Sequence, residues 1–267
     1  MIGLGPRRAR SGRLNHVRTG EGEPLLLLHS LGGGLVQWSP VIPLLEAHRE
    51  VIAVDMPGFG RSAALPEGID PSAANLASAV LEFYDSLAIG SDPHVAGISL
   101  GGWTAIECAR QGRAASVVGI CSAGFWKEPL EPRKSSAYTA ARAMRPLAQI
   151  TRIPQVKRRL LARNHRHPER VPAADAVALI RGYGGAPAYP EANRLMRAGV
   201  VGDLSDVRVP VTLAWAEYDN LVRREPLKKG ILPRRVKQVG LPGCGHVPTW
   251  DDPELVARVI LEGTGGA

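Results

Sequence analysis

Residues 97–101 read Gly97-Ile98-Ser99-Leu100-Gly101, between the short apolar approach Pro93-His94-Val95-Ala96 and a helix-like run that opens at Gly102. G-x-S-x-G is the pattern of a serine on a sharp strand-to-helix turn, its backbone strained and its hydroxyl pushed out of the sheet. Glycine is needed two residues either side, where a side chain would strike the neighbouring strand or helix. No other serine of the chain has glycine at both of those positions. The chemistry open to Ser99 is nucleophilic attack. A free hydroxyl attacks poorly at neutral pH, so it needs a base, and the base needs a carboxylate to hold its tautomer and stabilise its charged form.

Serine, acid and then histidine is the chain order that goes with this turn. Of seven histidines, His246 is the one in the last eighty residues, within Gly243-Cys244-Gly245-His246-Val247-Pro248. The buried-strand run Val209-Pro210-Val211-Thr212-Leu213-Ala214-Trp215-Ala216 ends in Glu217-Tyr218-Asp219-Asn220. Asp219 is the preferred acid and Glu217 its competitor. Asp203 and Asp206 precede the strand and belong at the wrong edge of the sheet.

These residues must sit at the ends of strands. Short apolar runs alternate with helical stretches, which argues for βαβ units and a parallel sheet. Strands are expected near residues 14–18, 24–29, 51–55, 94–98, 116–121, 210–216 and 236–240, and helices near 72–89, 100–112, 223–230 and 253–262. A chain of 267 residues accommodates one large α/β domain with an insertion.

With these motifs in order, the chain resembles the α/β-hydrolase superfamily. Leu25-Leu26-Leu27-Leu28-His29-Ser30-Leu31-Gly32-Gly33 looks like the strand and loop that build its oxyanion hole, and Asp55-Met56-Pro57-Gly58-Phe59-Gly60-Arg61-Ser62 matches its D-x-P-G-x-G-x-S loop. One departure is Ser30, where the family usually has glycine. The resemblance implies a mostly parallel sheet with helices on both faces and an inserted helical cap. The divisions it implies are core over 1–123 and 201–267, and a cap over 124–200. It also implies an oxyanion hole formed by the backbone N–H groups of Leu31 and Leu100, and a serine hydrolase of small or medium carboxylic esters or lactones that works through an acyl-enzyme. Serine-dependent carbon–carbon bond hydrolysis, thioester hydrolysis, cofactor-free haloperoxidation and a non-turnover ligand receptor remain open. Aspartate-nucleophile members are disfavoured by Ser99. No metal and no organic cofactor are implied.

The net charge of +8 is uneven: residues 124–200 hold 15 Lys or Arg against 5 Asp or Glu. Lys157-Arg158-Arg159 and Arg163-Asn164-His165-Arg166-His167 are the densest clusters. Three readings compete: a solvated lid, attraction of an anionic small-molecule substrate, and docking to an anionic membrane or acidic partner. Nucleic acid is disfavoured, because the clusters lack interleaved aromatics. Phe125, Trp126, Tyr138, Trp38 and Trp250 fall where the family's layout flanks the pocket; an apolar acyl or alcohol site and, for each taken singly, a place in the core are the two readings. Three widely spaced cysteines, no signal-peptide pattern behind Arg7, Arg8, Arg10 and Arg13, and no transmembrane-length apolar run suit a cytoplasmic protein.

Overall fold

In a computed structural model, residues 14–133, 135–222, 232, 233 and 235–266 are described. The helix expected near 223–230 and the N-terminal arginines lie outside them.

Seven strands form one sheet: β1 (His16–Thr19), β2 (Pro24–Leu28), β3 (Glu50–Val54), β4 (His94–Ile98), β5 (Ser116–Ile120), β6 (Val211–Ala216) and β7 (Val236–Leu241). Their order is β1-β3-β2-β4-β5-β6-β7. Every pairing is parallel except β1 with β3, which is antiparallel. All seven lie where the apolar runs place them. Central strands such as Pro-Leu-Leu-Leu-Leu in β2 and Val-Thr-Leu-Ala-Trp-Ala in β6 are buried at every residue, because helices cover both faces of a parallel sheet. Alternate residues serve opposite cores: Leu26 and Leu28 pack with one cluster, Leu25 and Leu27 with the other.

Eight helices accompany the sheet among the described residues: α1 (Ile42–Leu45), α2 (Ala73–Asp85), α3 (Leu100–Arg110), α4 (Ser136–Met144), α5 (Pro154–Leu161), α6 (Ala173–Gly185), α7 (Tyr189–Ala198) and α8 (Pro253–Gly263). α2 stops short of the expected residue 89, because the chain turns off through Ala88 at φ 53°. Helices α4 to α7 fall between β5 and β6. Prolines start several pieces of this stretch. Pro154 and Pro190 occupy the first turns of α5 and α7, and Pro172 immediately precedes α6; the missing N–H costs nothing there.

The strand order turns back between β2 and β4. In an open α/β sheet the crevice beyond the carboxyl ends of the strands at such a point is where ligands bind. The loops leaving β2 and β4 carry residues 29–34 and Ser99.

Candidate active site

Ser99 sits at φ 57° and ψ −115° between β4 and α3, in a region that a residue with a side chain rarely enters. Its backbone is held on three sides: its N–H donates to Ile120 O (2.9 Å), and its carbonyl accepts from Ala123 N (3.0 Å) and Trp103 N (3.1 Å). A methyl carbon at Gly97 would lie 2.1 Å from Gly101 O, and one at Gly101 would lie 2.3 Å from Leu28 O. The flanking glycines therefore exist so that α3 can start directly against β2 and β4.

His246 arrives from the loop after β7 and Asp219 from the loop after β6. His246 Nδ1 donates to Asp219 Oδ2 at 2.8 Å, and both side chains are 5% exposed. That bond fixes the tautomer with its Nε2 lone pair free. Asp219 Oδ1 accepts from Leu221 N (2.8 Å) and Val222 N (2.9 Å). Burial opposes the Asp219 charge, but the His246 contact and these amides outweigh it and hold the carboxyl below its usual range. Glu217 faces elsewhere: its Oε2 accepts from Gly243 N at 2.9 Å, in the open.

Ser99, His246 and Leu31 line one cavity of about 410 Å³. Among the described residues no hydrogen bond joins Ser99 to His246; such contacts often tighten only around a substrate. Leu100 follows Ser99 as the first residue of α3, where a backbone N–H has no acceptor within the helix. Leu31 occupies the turn closed by Gly33 N donating to Ser30 O at 2.8 Å, a position whose N–H the turn itself leaves unused.

Sequence reasoning missed what holds this loop. Gln37 brackets Ser30: Ser30 N donates to Gln37 Oε1 and Gln37 Nε2 donates to Ser30 Oγ, both at 2.9 Å. The serine at the glycine position thus serves as an acceptor for a buried amide. His29 accepts from Met56 N (2.9 Å) and donates to Ser30 O (2.8 Å). Burial keeps its imidazole neutral by pushing its pKa down. Asp55 gathers Asn15 Nδ2, Leu35 N and Arg61 N. The contacts of His29 with Met56 and of Asp55 with Asn15 and Leu35 tie sequence-distant loops together, and the others brace each loop locally.

The histidine loop is clasped to the stretch between β5 and β6. Val247 N donates to Asn164 O (2.8 Å). Asp251, 2% exposed, accepts Arg166 N (3.0 Å), His167 N (2.7 Å) and Gly245 N (2.7 Å). Asp251→Ala should lower stability by about 3 kcal/mol or more, since each stranded buried donor costs roughly 1–3 kcal/mol. Asp251→Asn, which keeps an acceptor, should lose less. Denaturant unfolding of both measures this, and an alanine variant as stable as the parent would show that the clasp carries no weight.

His165 stands inside the clasp, with Nδ1 donating to Val247 O (2.9 Å) and its ring edge-on to Trp250. Burial pushes it down to about 4, against the opposing pull of Asp251. Its folded pKa lies below the unfolded value of about 6.5, so the unfolded chain binds more protons between the two. Its contribution is complete above that unfolded value and falls as pH drops through the window, by about 3 kcal/mol at most. His165→Asn should flatten the acid limb of stability against pH; an unchanged limb would assign it to other groups. The signal in sequence was a histidine inside a basic run, which reads as a solvated face.

Two further expectations shift. Lys157 is tied to the carbonyls of Glu169 and Val171, and the 157–159 triplet does not line the cavity; Arg133, Arg163 and Arg197 do. Of the anticipated aromatics, Trp126 reaches the cavity, while Tyr183 and Tyr189, hydroxyl to hydroxyl at 3.1 Å, form the rest of the aromatic wall. Phe125, Trp38, Tyr138 and Trp250 are core residues. Cys121 Sγ, Asp219 and His246 offer donor atoms within 4.8 Å of one another. Burial pushes the Cys121 thiol well up, and the Asp219 oxygens are already engaged, so the group is suited to hydrogen bonding rather than to holding a metal. Among the described residues no helix is long and apolar enough to cross a membrane.

Comparison with known proteins gives a consistent result. A profile described as "Alpha/beta hydrolase family" matches residues 25–259. A dihydrolipoyllysine-residue acetyltransferase component of an acetoin cleaving system from Pseudomonas putida is 30% identical over 90% of this chain, which spans 63% of that protein's length. An epoxide hydrolase from Mycobacterium tuberculosis is 29% identical over 62% of this chain and 83% of its own. The enol-lactonase of Burkholderia xenovorans shares the fold, with a TM-score of 0.70 at 20% identity over 94% of this chain and 96% of its own.

Proposed function

Since the chain belongs to the alpha/beta hydrolase family, we propose that it is a serine hydrolase cleaving carboxylic esters or lactones through an acyl-enzyme. The observation that carries this is the 2.8 Å contact of His246 with Asp219 on the wall of the cavity that also holds Ser99. Ser99 Oγ attacks the carbonyl carbon and His246 Nε2 takes its proton. Asp219 stabilises the imidazolium, and His246 returns the proton to the leaving alcohol. Water, deprotonated by His246, then releases the acid. The Leu31 and Leu100 N–H groups hold the oxyanion, each worth roughly 3 kcal/mol. Residues 124–200 serve as the cap. No step calls for a metal or organic cofactor.

A serine rather than an aspartate at position 99 speaks against epoxide opening, the activity in the name of one relative. An anionic substrate is favoured by Arg133, Arg163 and Arg197, which meet the cavity. A panel of matched anionic and neutral esters tests the reading. Turnover should be multiple, and for anionic members kcat/KM should fall several-fold as salt rises, because a steering field is screened. Arg133→Gln, Arg163→Gln and Arg197→Gln together should remove that difference. Failure to turn over any ester, lactone or thioester would favour the receptor alternative.

A further inference from the structure

Residues 132–168 carry ten Lys or Arg and no Asp or Glu. Within them lies an eight-residue 3₁₀ helix, Arg145–Arg152, which is long for its type. Three residues make one turn of such a helix, so side chains at i and i+3 eclipse and the rod presents three ridges. Ala148 and Thr151 form a ridge that is fully buried. Gln149 and Arg152 form a second, joined side chain to side chain at 2.7 Å. Leu147 and Ile150 form the third, and Ile153 extends it, because its N–H continues the turn to Ile150 O at 3.0 Å. These three side chains are 64%, 39% and 48% exposed. Of the described residues, these are among the large apolar side chains that stand exposed.

The surroundings are cationic. Arg152, Arg158 and Arg159 are exposed, and among the described residues none of the three is in an ion pair. Leu160, 36% exposed, belongs to the same stretch and also lines the cavity of Ser99.

We propose that this ridge is a docking surface for an anionic lipid bilayer, with Leu147, Ile150 and Ile153 entering the acyl boundary and Arg152, Arg158 and Arg159 meeting the phosphate headgroups. Convex aliphatic side chains beside uncompensated cations have the composition of an interfacial element. A fluid apolar phase accepts a ridge without a shaped groove. The negative potential of an anionic leaflet supplies the missing countercharge. Because Leu160 bridges the stretch and the cavity wall, docking brings the cavity close to the lipid surface.

The intact chain is sedimented with vesicles of phosphatidylcholine alone and of equimolar phosphatidylcholine and phosphatidylglycerol. No hydrolysis is needed for the readout, so it stands apart from the activity proposed above. Binding is expected to the mixed vesicles and not to the neutral ones, and it should weaken with salt. Leu147→Ser, Ile150→Ser and Ile153→Ser together should raise the half-binding lipid concentration about tenfold or more. Replacing Arg152, Arg158 and Arg159 by Gln should raise it about fivefold per charge. Unchanged thermal midpoints identify these as surface effects. Independently, in Ile150→Trp the new indole should be quenched by brominated acyl chains. Failure to sediment with the mixed vesicles, binding that the ridge substitutions leave unaltered, or binding to a soluble polyanion such as heparin without vesicle binding would each overturn the proposal.

Discussion

Ser99→Ala should lower kcat on any ester substrate by about six orders of magnitude, the loss seen when a serine nucleophile is removed from a working triad. The fold should survive the change, because the backbone of residue 99 is held by Ile120, Ala123 and Trp103 through main-chain groups alone. A second substitution separates chemistry from strain. Residue 99 stands at φ 57° and ψ −115°, a sparsely populated region that costs a residue with a side chain roughly 1–3 kcal/mol. Ser99→Gly should therefore be as inactive as alanine yet more stable by about 1 kcal/mol. Mass spectrometry after treatment with an organophosphonate completes the test. An adduct on any other residue, or ester hydrolysis retained by Ser99→Ala, would remove Ser99 from the mechanism.

Asp219→Asn should reduce kcat by about four orders of magnitude. The asparagine amide can donate to Nδ1, which drives the imidazole proton to Nε2 and fills the lone pair that must accept the serine proton. Glu217→Gln should leave turnover near the parental level, because a glutamine carbonyl still accepts from Gly243 N, the only hydrogen bond the Glu217 side chain makes among the described residues. The reverse ranking would assign the acid to Glu217, and equal losses would remove the distinction between the two. The lowered pKa of Asp219 adds a stability term with a definite sign. It is present above the unfolded carboxyl value and lost as pH falls through the folded one, so the asparagine variant should lose part of the parent's resistance gained between acid and neutral pH.

The seven strands were legible because burial is written into local pattern. A strand covered on both faces must be a continuous apolar run, and β2, β5 and β6 are such runs. The antiparallel pairing of β1 was not legible, since His-Val-Arg-Thr in β1 contains nothing that distinguishes one direction from the other. In the stretch between β5 and β6 the prolines do not by themselves say whether a helix stops or starts. The same ring that ends a helix from inside starts one from its first turn, and only the chain's path separates the two.

For the candidate site, the sequence alone pointed to the turn at Ser99, because glycine at 97 and 101 removes the side chains that would bar a helix from starting against the strands, and it named His246 by its place in chain order. It preferred Asp219 to Glu217 by position after the strand alone, two carboxylates of similar chemistry on one short loop. The tertiary structure sets Glu217 against Gly243 N and Asp219 against His246 Nδ1. The sequence could not show Gln37 seated on Ser30, or Asp251 binding the amides of residues 166, 167 and 245. Periodicity records whether a residue is buried; it carries no record of which distant segment arrives beside it. The clasp around His246 joins residues more than eighty positions apart, and such pairings come into being only when β7 and the helices before β6 are brought together at the carboxyl end of the sheet.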